Sequence, residues 1–466
     1  MSTILRFGTD GWRARLDGDF REENVVRVAD AAAALWSQRN PGAVVYVGYD
    51  TRTGARDAAV LCARVLAAHG LSVRLARAYV PTPAVSWTVS RDERACGALM
   101  VTGSHHPYDY LGIKFRVSDG GAGSAEFVDD VERAIDSDPT PARGVYKTVD
   151  FVSPYIDELV SRVDRRRISA AGIKVVYDPM FGSGAGYLTA AMSRLGIEVH
   201  EIHGADDEGR DEMRPEPIEP WVDECEQEVA ARDGYIGIVN DGDADRVATI
   251  DERGRFVSPQ KLMALILHHL VRNRGMSGNV ALGLSTSTLV RRAARNLGCR
   301  YVVKPVGFKH IYREMLKGTI LMGGEETGGF GYPFHFPERD GLLSALLLCE
   351  LMAWENKSLV TLLEELEGAC GSMSYARRDL RLANEEVEML RTVLPGLNPA
   401  RVAGREPTVV SHMDGLRLEF EDESWLLLRP SGTETVVRVY AEAPTVEMRD
   451  ALLEAGCALA RTGEAG

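Results

Sequence analysis

Three times along the chain an apolar run gives way to a loop of small residues and then to a helix-compatible segment that closes on glycine. The segments are VVYVGYDTRTGARDAAVLCARVLAAHG, IKVVYDPMFGSGAGYLTAAMSRLG and NVALGLSTSTLVRRAARNLG. This order constrains the fold more than any other feature. A strand followed by a helix calls for the crossover connections of a largely parallel sheet, and the threefold return predicts one type of α/β domain used three times. Each terminal glycine suits a left-handed helix cap.

At 466 residues the chain is too long for a single hydrophobic core, and a prior of roughly 100–200 residues per domain suggests three or four domains. Candidate boundaries fall near SDPTPARG (Ser137–Gly144), near DERGRFVSP (Asp251–Pro259) and after Cys370. They give expected domains 1–145, 146–254, 255–370 and 371–466. The last of these reads differently from the rest. RRDLRLANEEVEMLRTVL, LRLEFEDESWLLLRPS and VVRVYAEAPTVEMRDALLEAGCALA alternate helix-like and strand-like patterns, as in a small α+β domain.

Fifty-four basic against 68 acidic residues leave a net charge of −14, a poor platform for nucleic acid. A local basic cleft would be needed to receive an anionic substrate. No apolar run is long enough to span a bilayer, and MSTILRFGTDGW lacks the features of a secretory signal, so a cytoplasmic location is expected. Seven scattered cysteines without CxxC spacing argue against a disulfide framework or a zinc site.

Several short stretches carry chemistry. DGDADR (Asp241–Arg246) follows the apolar run YIGIV, and three carboxylates at alternate positions past a strand can converge on one hard divalent cation. The plain alternative is a solvated acidic turn. An EF-hand is disfavoured because VATIDERG reads as a hairpin-like strand and lacks the terminal glutamate. LRPSGTET (Leu428–Thr435), with Arg438 beyond it, offers an arginine fork, hydroxyls and accessible N–H groups to a phosphate dianion; it could also be a polar hairpin loop. GGEETGGF (Gly323–Phe330) can share hydrogen bonds with vicinal sugar hydroxyls, although acidic glycine-rich turns are common at loop tips.

VTGSHHPYDYLGIKF (Val101–Phe115) displays Ser104 on a strand-to-loop turn, with Lys114 further on. The residues read GSH rather than the GxSxG of a hydrolase elbow, and neither His105 nor His106 has metal-ligand spacing. FGTDGWRAR and VGFKHI place Arg13 and Lys309 after compact turns, which matter only if they face a shared cleft.

Taken together, FGTDGWR, GYDTR, TGSHHP with GIK, DPMFGSG, DGDADR, VGFK, GEETGG, PERDG and RPSGTE resemble, in order and across the whole chain, the α-D-phosphohexomutase family. The resemblance implies four domains around a central cleft, three similar α/β domains with mixed sheets plus a smaller C-terminal α+β domain, each contributing one loop. It implies that Ser104 is phosphorylated and passes its phosphoryl group to a hexose phosphate, through a hexose 1,6-bisphosphate that also serves as activator. The exchange is between C1 and C6 of glucose and/or mannose. Magnesium would sit on Asp241, Asp243, Asp245 and Ser104. Arg13, Lys114 and His105 would serve the chemistry. Arg246, Gly307, Lys309, Glu325, Thr327, Arg429, Ser431, Gly432, Thr433 and Arg438 would hold substrate.

The chain departs from the family pattern at His106 and Leu111, where asparagines are usual, and at Gly329, where many phosphomannomutase-like members carry histidine. His335 is expected either to replace that histidine or to be structural. The alternatives are a phosphoglucosamine mutase within the family, and, outside it, a metal-dependent sugar phosphatase or a non-catalytic sugar-phosphate-binding protein. Monomer and homodimer are both open.

Overall fold

The computed structural model describes residues 5, 7–8, 11–136, 138–431 and 435–463. It contains one seven-stranded and three five-stranded sheets.

The first three sheets follow one path. A central strand (Val44–Tyr49, Lys174–Asp178 or Asn279–Gly283) pairs in parallel with its successor (Ser72–Ala76, Glu198–Glu201 or Tyr301–Lys304) on one side. On its other side lies a third parallel strand (Ala95–Val101, Tyr235–Asn240 or Ile320–Gly324). A fourth strand (Tyr110–Val117, Val247–Ile250 or Phe330–Tyr332) then turns back antiparallel to the third. The central strand VVYVGY is buried at every position, as a parallel strand covered on both faces must be. Gly70, Gly196 and Gly298, which close the three repeats, have φ of 81°, 80° and 74°, the left-handed caps expected of them.

The repetition has a functional consequence. The reversal between third and fourth strands is residues 102–109 in the first domain, 241–246 in the second and 325–329 in the third. These are the serine loop, the acidic loop and the GEETGG loop. All three leave the carboxyl end of a parallel strand, where α/β sheets present their ligand sites. Antiparallel pairing of Val247–Ile250 with Tyr235–Asn240 also fits the hairpin reading of VATI.

Strand Lys147–Val149 adds to the edge of the first sheet and Phe256–Val257 to the edge of the second, so both sheets reach slightly past residues 145 and 254. The fourth sheet is wholly antiparallel, in the order Ser374–Arg381, Val436–Ala443, Trp425–Pro430, Leu416–Glu419, Val409–Ser411. Helix Val446–Thr462 packs on one face of it and shares a core with that face, while Trp425, Leu427 and Tyr440 on the other face pack against Leu284 of the third domain. Two layers with their own core are what an independent domain requires.

Buried polar contacts join the domains. Arg116 of the first reaches Glu338 of the third at 2.9 Å, and Glu442 of the fourth accepts from Thr288 N (2.7 Å) at the start of helix Thr288–Asn296. All seven cysteines are free thiols. No helix among the described residues is long and apolar enough to cross a membrane.

Candidate active site

Ser104 has φ of 50°, and its N–H is held by Thr102 Oγ1 at 2.8 Å. For a non-glycine residue this left-handed conformation needs support from its surroundings. Arg52, from the GYDTR loop after the central strand, supplies it. Its guanidinium donates to the carbonyls of Ser104 (2.7 Å), His106 (2.6 Å), Pro107 (2.5 Å) and Tyr110 (3.1 Å). Asp50 lies 3.3 Å from Arg52 Nε and accepts from Gly103 N at 3.2 Å. A Cβ on Gly103 would fall 2.5 Å from Arg52 Cζ, so only glycine fits there.

The acidic loop meets the serine loop directly. A Cβ on Gly242 would fall 2.5 Å from Ser104 O. Ser104 Oγ donates to Asp241 Oδ2 at 3.3 Å, and it lies 3.4 Å from Lys114 Nζ and 3.5 Å from His105 Nδ1. Lys114 also donates to Asp243 Oδ2 (2.5 Å) and Asp245 Oδ2 (3.1 Å). Thr82, at the start of helix Thr82–Ser90, donates to Asp243 Oδ2 at 2.5 Å and fixes that carboxylate from the first domain.

Asp241, Asp243 and Asp245 are buried, and each offers an oxygen within 4.8 Å of the others. Burial, then repulsion from Asp245 and Asp243, pushes the Asp241 carboxyl well above the usual range. Burial has the same tendency at Asp243, but Lys114 overcomes it and holds that carboxyl below the usual range. The buried Oδ1 atoms of Asp243 and Asp245 have no hydrogen-bond partner. Converging buried carboxylates with orphaned oxygens are the donor set of a hard divalent cation, so the residues fit one.

Positive charges surround the two histidines that follow Ser104. Burial, followed by the charges of Arg246, His106, Arg13 and Arg214, lowers His105 well below the ordinary histidine range, and burial with the arginines lowers His106 to about 3. Both rings are therefore neutral at pH 7. Arg13 lies on Gly11–Arg15 opposite Gly112. Arg214 donates to His105 O at 3.3 Å. Arg246 donates its backbone N–H to Asp241 Oδ1 at 3.0 Å, and its side chain lies 3.9 Å from both Asp241 and Asp245.

The GEETGG loop packs on the far side of the acidic loop: Val247 N donates to Gly328 O at 3.0 Å. Glu325 is buried and accepts from Gly307 N at 2.9 Å, so Gly307 positions this carboxylate. Burial, opposed mainly by Arg339, pushes the Glu325 carboxyl up to about 7. Thr327 and Lys309 are half-buried.

In the fourth domain Arg429 Nε donates to Asp414 Oδ2 at 2.8 Å, and that same oxygen accepts from Val306 N of the third domain at 3.0 Å. Arg429 and Arg438 stand opposite each other on adjacent strands. Ser431 is buried at the end of this hairpin. Gly432 and Thr433 lie outside the described residues.

His335 is at the opposite end of its hairpin from Gly329, with Nε2 3.0 Å from Asp340 and Nδ1 3.6 Å from Glu158. Tyr155 Oη donates to the same Asp340 at 2.9 Å. This network gives His335 a structural role. Leu111 is fully buried in the core. Arg52 and Arg339 lay within the quoted motifs GYDTR and PERDG, although nothing in those motifs displayed what they hold. Thr82 and Arg214 had no sequence signal.

Comparison with known proteins agrees with this geometry. The chain matches the phosphoglucomutase/phosphomannomutase alpha/beta/alpha domains I, II and III over residues 5–141, 153–254 and 258–369, and the C-terminal domain of the same family over 383–455. It is 29% identical to a phosphoglucomutase/phosphomannomutase of Thermococcus kodakarensis over 97% of this chain and 98% of that protein. It is 30% identical to a phosphoglucosamine mutase of Pelotomaculum thermopropionicum over 94% and 95%. A crystal structure from Thermus thermophilus, assigned as a phosphomannomutase, superposes with a TM-score of 0.88 at 33% identity, covering 98% of this chain and 99% of that one. With all four domains matched in order and the acidic loop set against the serine loop, the chain belongs to the α-D-phosphohexomutase family, a family of isomerases acting on sugar phosphates.

Proposed function

We propose that the protein interconverts hexose 1-phosphate and hexose 6-phosphate, of glucose and/or mannose, through phospho-Ser104 and a bound hexose 1,6-bisphosphate. The observation that carries this reading is the position of Ser104 Oγ, 3.3 Å from Asp241 and 3.4 Å from Lys114, at the junction of two loops from different domains. Phosphoryl transfer depends mainly on in-line placement and on neutralising the equatorial oxygens, and this site concentrates the means for both.

Asp241, Asp243, Asp245 and Ser104 would hold Mg2+, which would supply positive charge to the transferring group. Transfer breaks the bond between phosphorus and Ser104 Oγ while a sugar hydroxyl forms the new O–P bond. The hydroxyl gives up its proton and Oγ receives one. The groups within reach of Oγ for these transfers are Lys114 Nζ and neutral His105 Nδ1 at 3.5 Å. Arg13 and Arg246 add positive charge beside the serine.

Glu325 and Thr327 would take sugar hydroxyls, with Gly307, whose N–H holds Glu325, and Lys309 of the helix that follows it, Phe308–Met315, beside them. Arg429, Ser431, Gly432, Thr433 and Arg438 would grip the phosphate that is not being transferred. After the first transfer the bisphosphate turns end for end, and its other phosphoryl group returns to Ser104.

Relatives named for glucosamine phosphate are about as similar as those named for glucose and mannose phosphates, so substrate preference is a kinetic question. The test is kcat/KM with glucose, mannose and glucosamine 1-phosphates. A preference for either of the first two supports the assignment, and a dominant glucosamine activity replaces it with phosphoglucosamine mutase. Release of inorganic phosphate without isomer formation overturns the mutase reading in favour of a phosphatase.

A further inference from the structure

Arg339 is the last residue of strand Phe336–Arg339, buried where three domains meet. Its Nη2 lies 3.2 Å from Asp245 Oδ2 of the acidic loop, and its Nε donates to Glu338 Oε1 at 3.2 Å. Glu338 is itself fixed from the first domain, accepting from Arg116 Nη1 at 2.9 Å and Ala122 N at 3.0 Å. The guanidinium is stacked 5.2 Å over the ring of Phe308, next to Gly307, whose N–H holds Glu325. Its charge, with that of Arg246, favours the ionised Glu325 carboxyl against burial and the neighbouring Glu326.

The sequence of the sugar loop makes room for this arginine. A Cβ built on Gly329 would stand 2.5 Å from Arg339 Cδ, in the middle of the side chain rather than at its free end. Glycine at 329 and arginine at 339 are therefore one structural solution, since a side chain at 329 would take the place of the arginine stem.

We propose that Arg339 is the positioning residue that couples the acidic loop to the sugar loop, fixing Asp245 by a direct ion pair and holding the Glu325 carboxylate by its charge. The inference rests on the proposed function, in which Glu325 accepts from sugar hydroxyls. An arginine fork anchored on Glu338 and Asp245 keeps the cation at a set place, which a flexible lysine would not do.

The test is the pH dependence of kcat/KM for hexose 1-phosphate in the wild type, Arg339→Gln and Gly329→Ala. The alanine leaves both charges in the chain and displaces the arginine. Losing the cation beside a buried carboxyl should move the acid limb to higher pH by about one unit or more, so activity near neutrality falls at least about tenfold further than in alkali. Both variants should show that shift, and Arg339→Lys should recover part of it. A loss of equal size at all pH values in both folded variants would reduce Arg339 to a packing role and overturn the proposal. If the wild type makes no isomer, the proposed function fails; wild-type turnover with unshifted variants defeats the Arg339 inference alone.

Discussion

Replacing Arg52 by methionine removes the side chain that holds four main-chain carbonyls of the serine loop. Arg52 is buried and gives charge-assisted hydrogen bonds to four carbonyls between Ser104 and Tyr110. Methionine matches much of its volume, so cavity formation is a minor part of the cost. The larger part is Asp50, which is buried beside Arg52 and would lose its counter-charge. Breaking a buried pair by removing one partner costs about 3–5 kcal/mol, and freeing carbonyls from a charged donor adds about 1 kcal/mol or more. The expected destabilisation is thus about 4–6 kcal/mol. Hydrogen exchange read by mass spectrometry should show it as lost protection in the segment 102–112, with distant parts of the third domain unaffected. Turnover should fall by about 100-fold or more, because an ångström of error at the nucleophile has that effect. Adding Asp50→Asn should recover stability by removing the stranded charge and should recover little turnover. Wild-type protection of residues 102–112 in Arg52→Met, or turnover within a few-fold of wild type, would refute the argument that this arginine builds the loop.

Three other outcomes follow from the site. The Glu325 carboxyl rises from an ordinary 4.5 to about 7 on folding, so its burial favours the protonated form. Its stabilising contribution is present below about pH 4.5 and is lost as pH rises through about 7, a difference of about 3 kcal/mol. Glu325→Gln should therefore melt higher than wild type above pH 7 and equally below pH 4.5, while losing turnover; an unchanged Tm in alkali would contradict this. Chelation of divalent cations should abolish turnover and Mg2+ should restore it, whereas Asp243→Asn should weaken Mn2+ binding measured by electron paramagnetic resonance at least about tenfold. Arg429→Gln removes a bidentate donor from the fourth domain and should raise KM for hexose phosphate about tenfold or more with a smaller effect on kcat, as steady-state kinetics would show.

The threefold α/β architecture was legible because each repeat carries its own strand, loop and glycine cap in local sequence. The acidic loop was legible for the same reason: Asp241, Asp243 and Asp245 are sequence neighbours, and alternate spacing past a strand brings them together. What supports the serine was not. Arg52 binds four main-chain carbonyls, a type of partner that leaves no trace in side-chain pattern, and Thr82 reaches Asp243 from another domain. The contrast between His335 and Arg339 shows the limit most clearly. Both lie close to Gly329 in sequence, but the hairpin carries the histidine to its far end and returns the arginine to lie against the glycine. Register alone decides which of them stands near the sugar loop.

The central claim is that Ser104 carries the transferred phosphoryl group. Intact-mass spectrometry before and after incubation with glucose 1,6-bisphosphate, with peptide mapping of the segment containing Ser104, tests it most directly. The account predicts one added phosphoryl group on Ser104, lost on adding a hexose monophosphate and absent from Ser104→Ala. A protein that takes no phosphoryl group under these conditions, or takes it on another residue, would contradict the account.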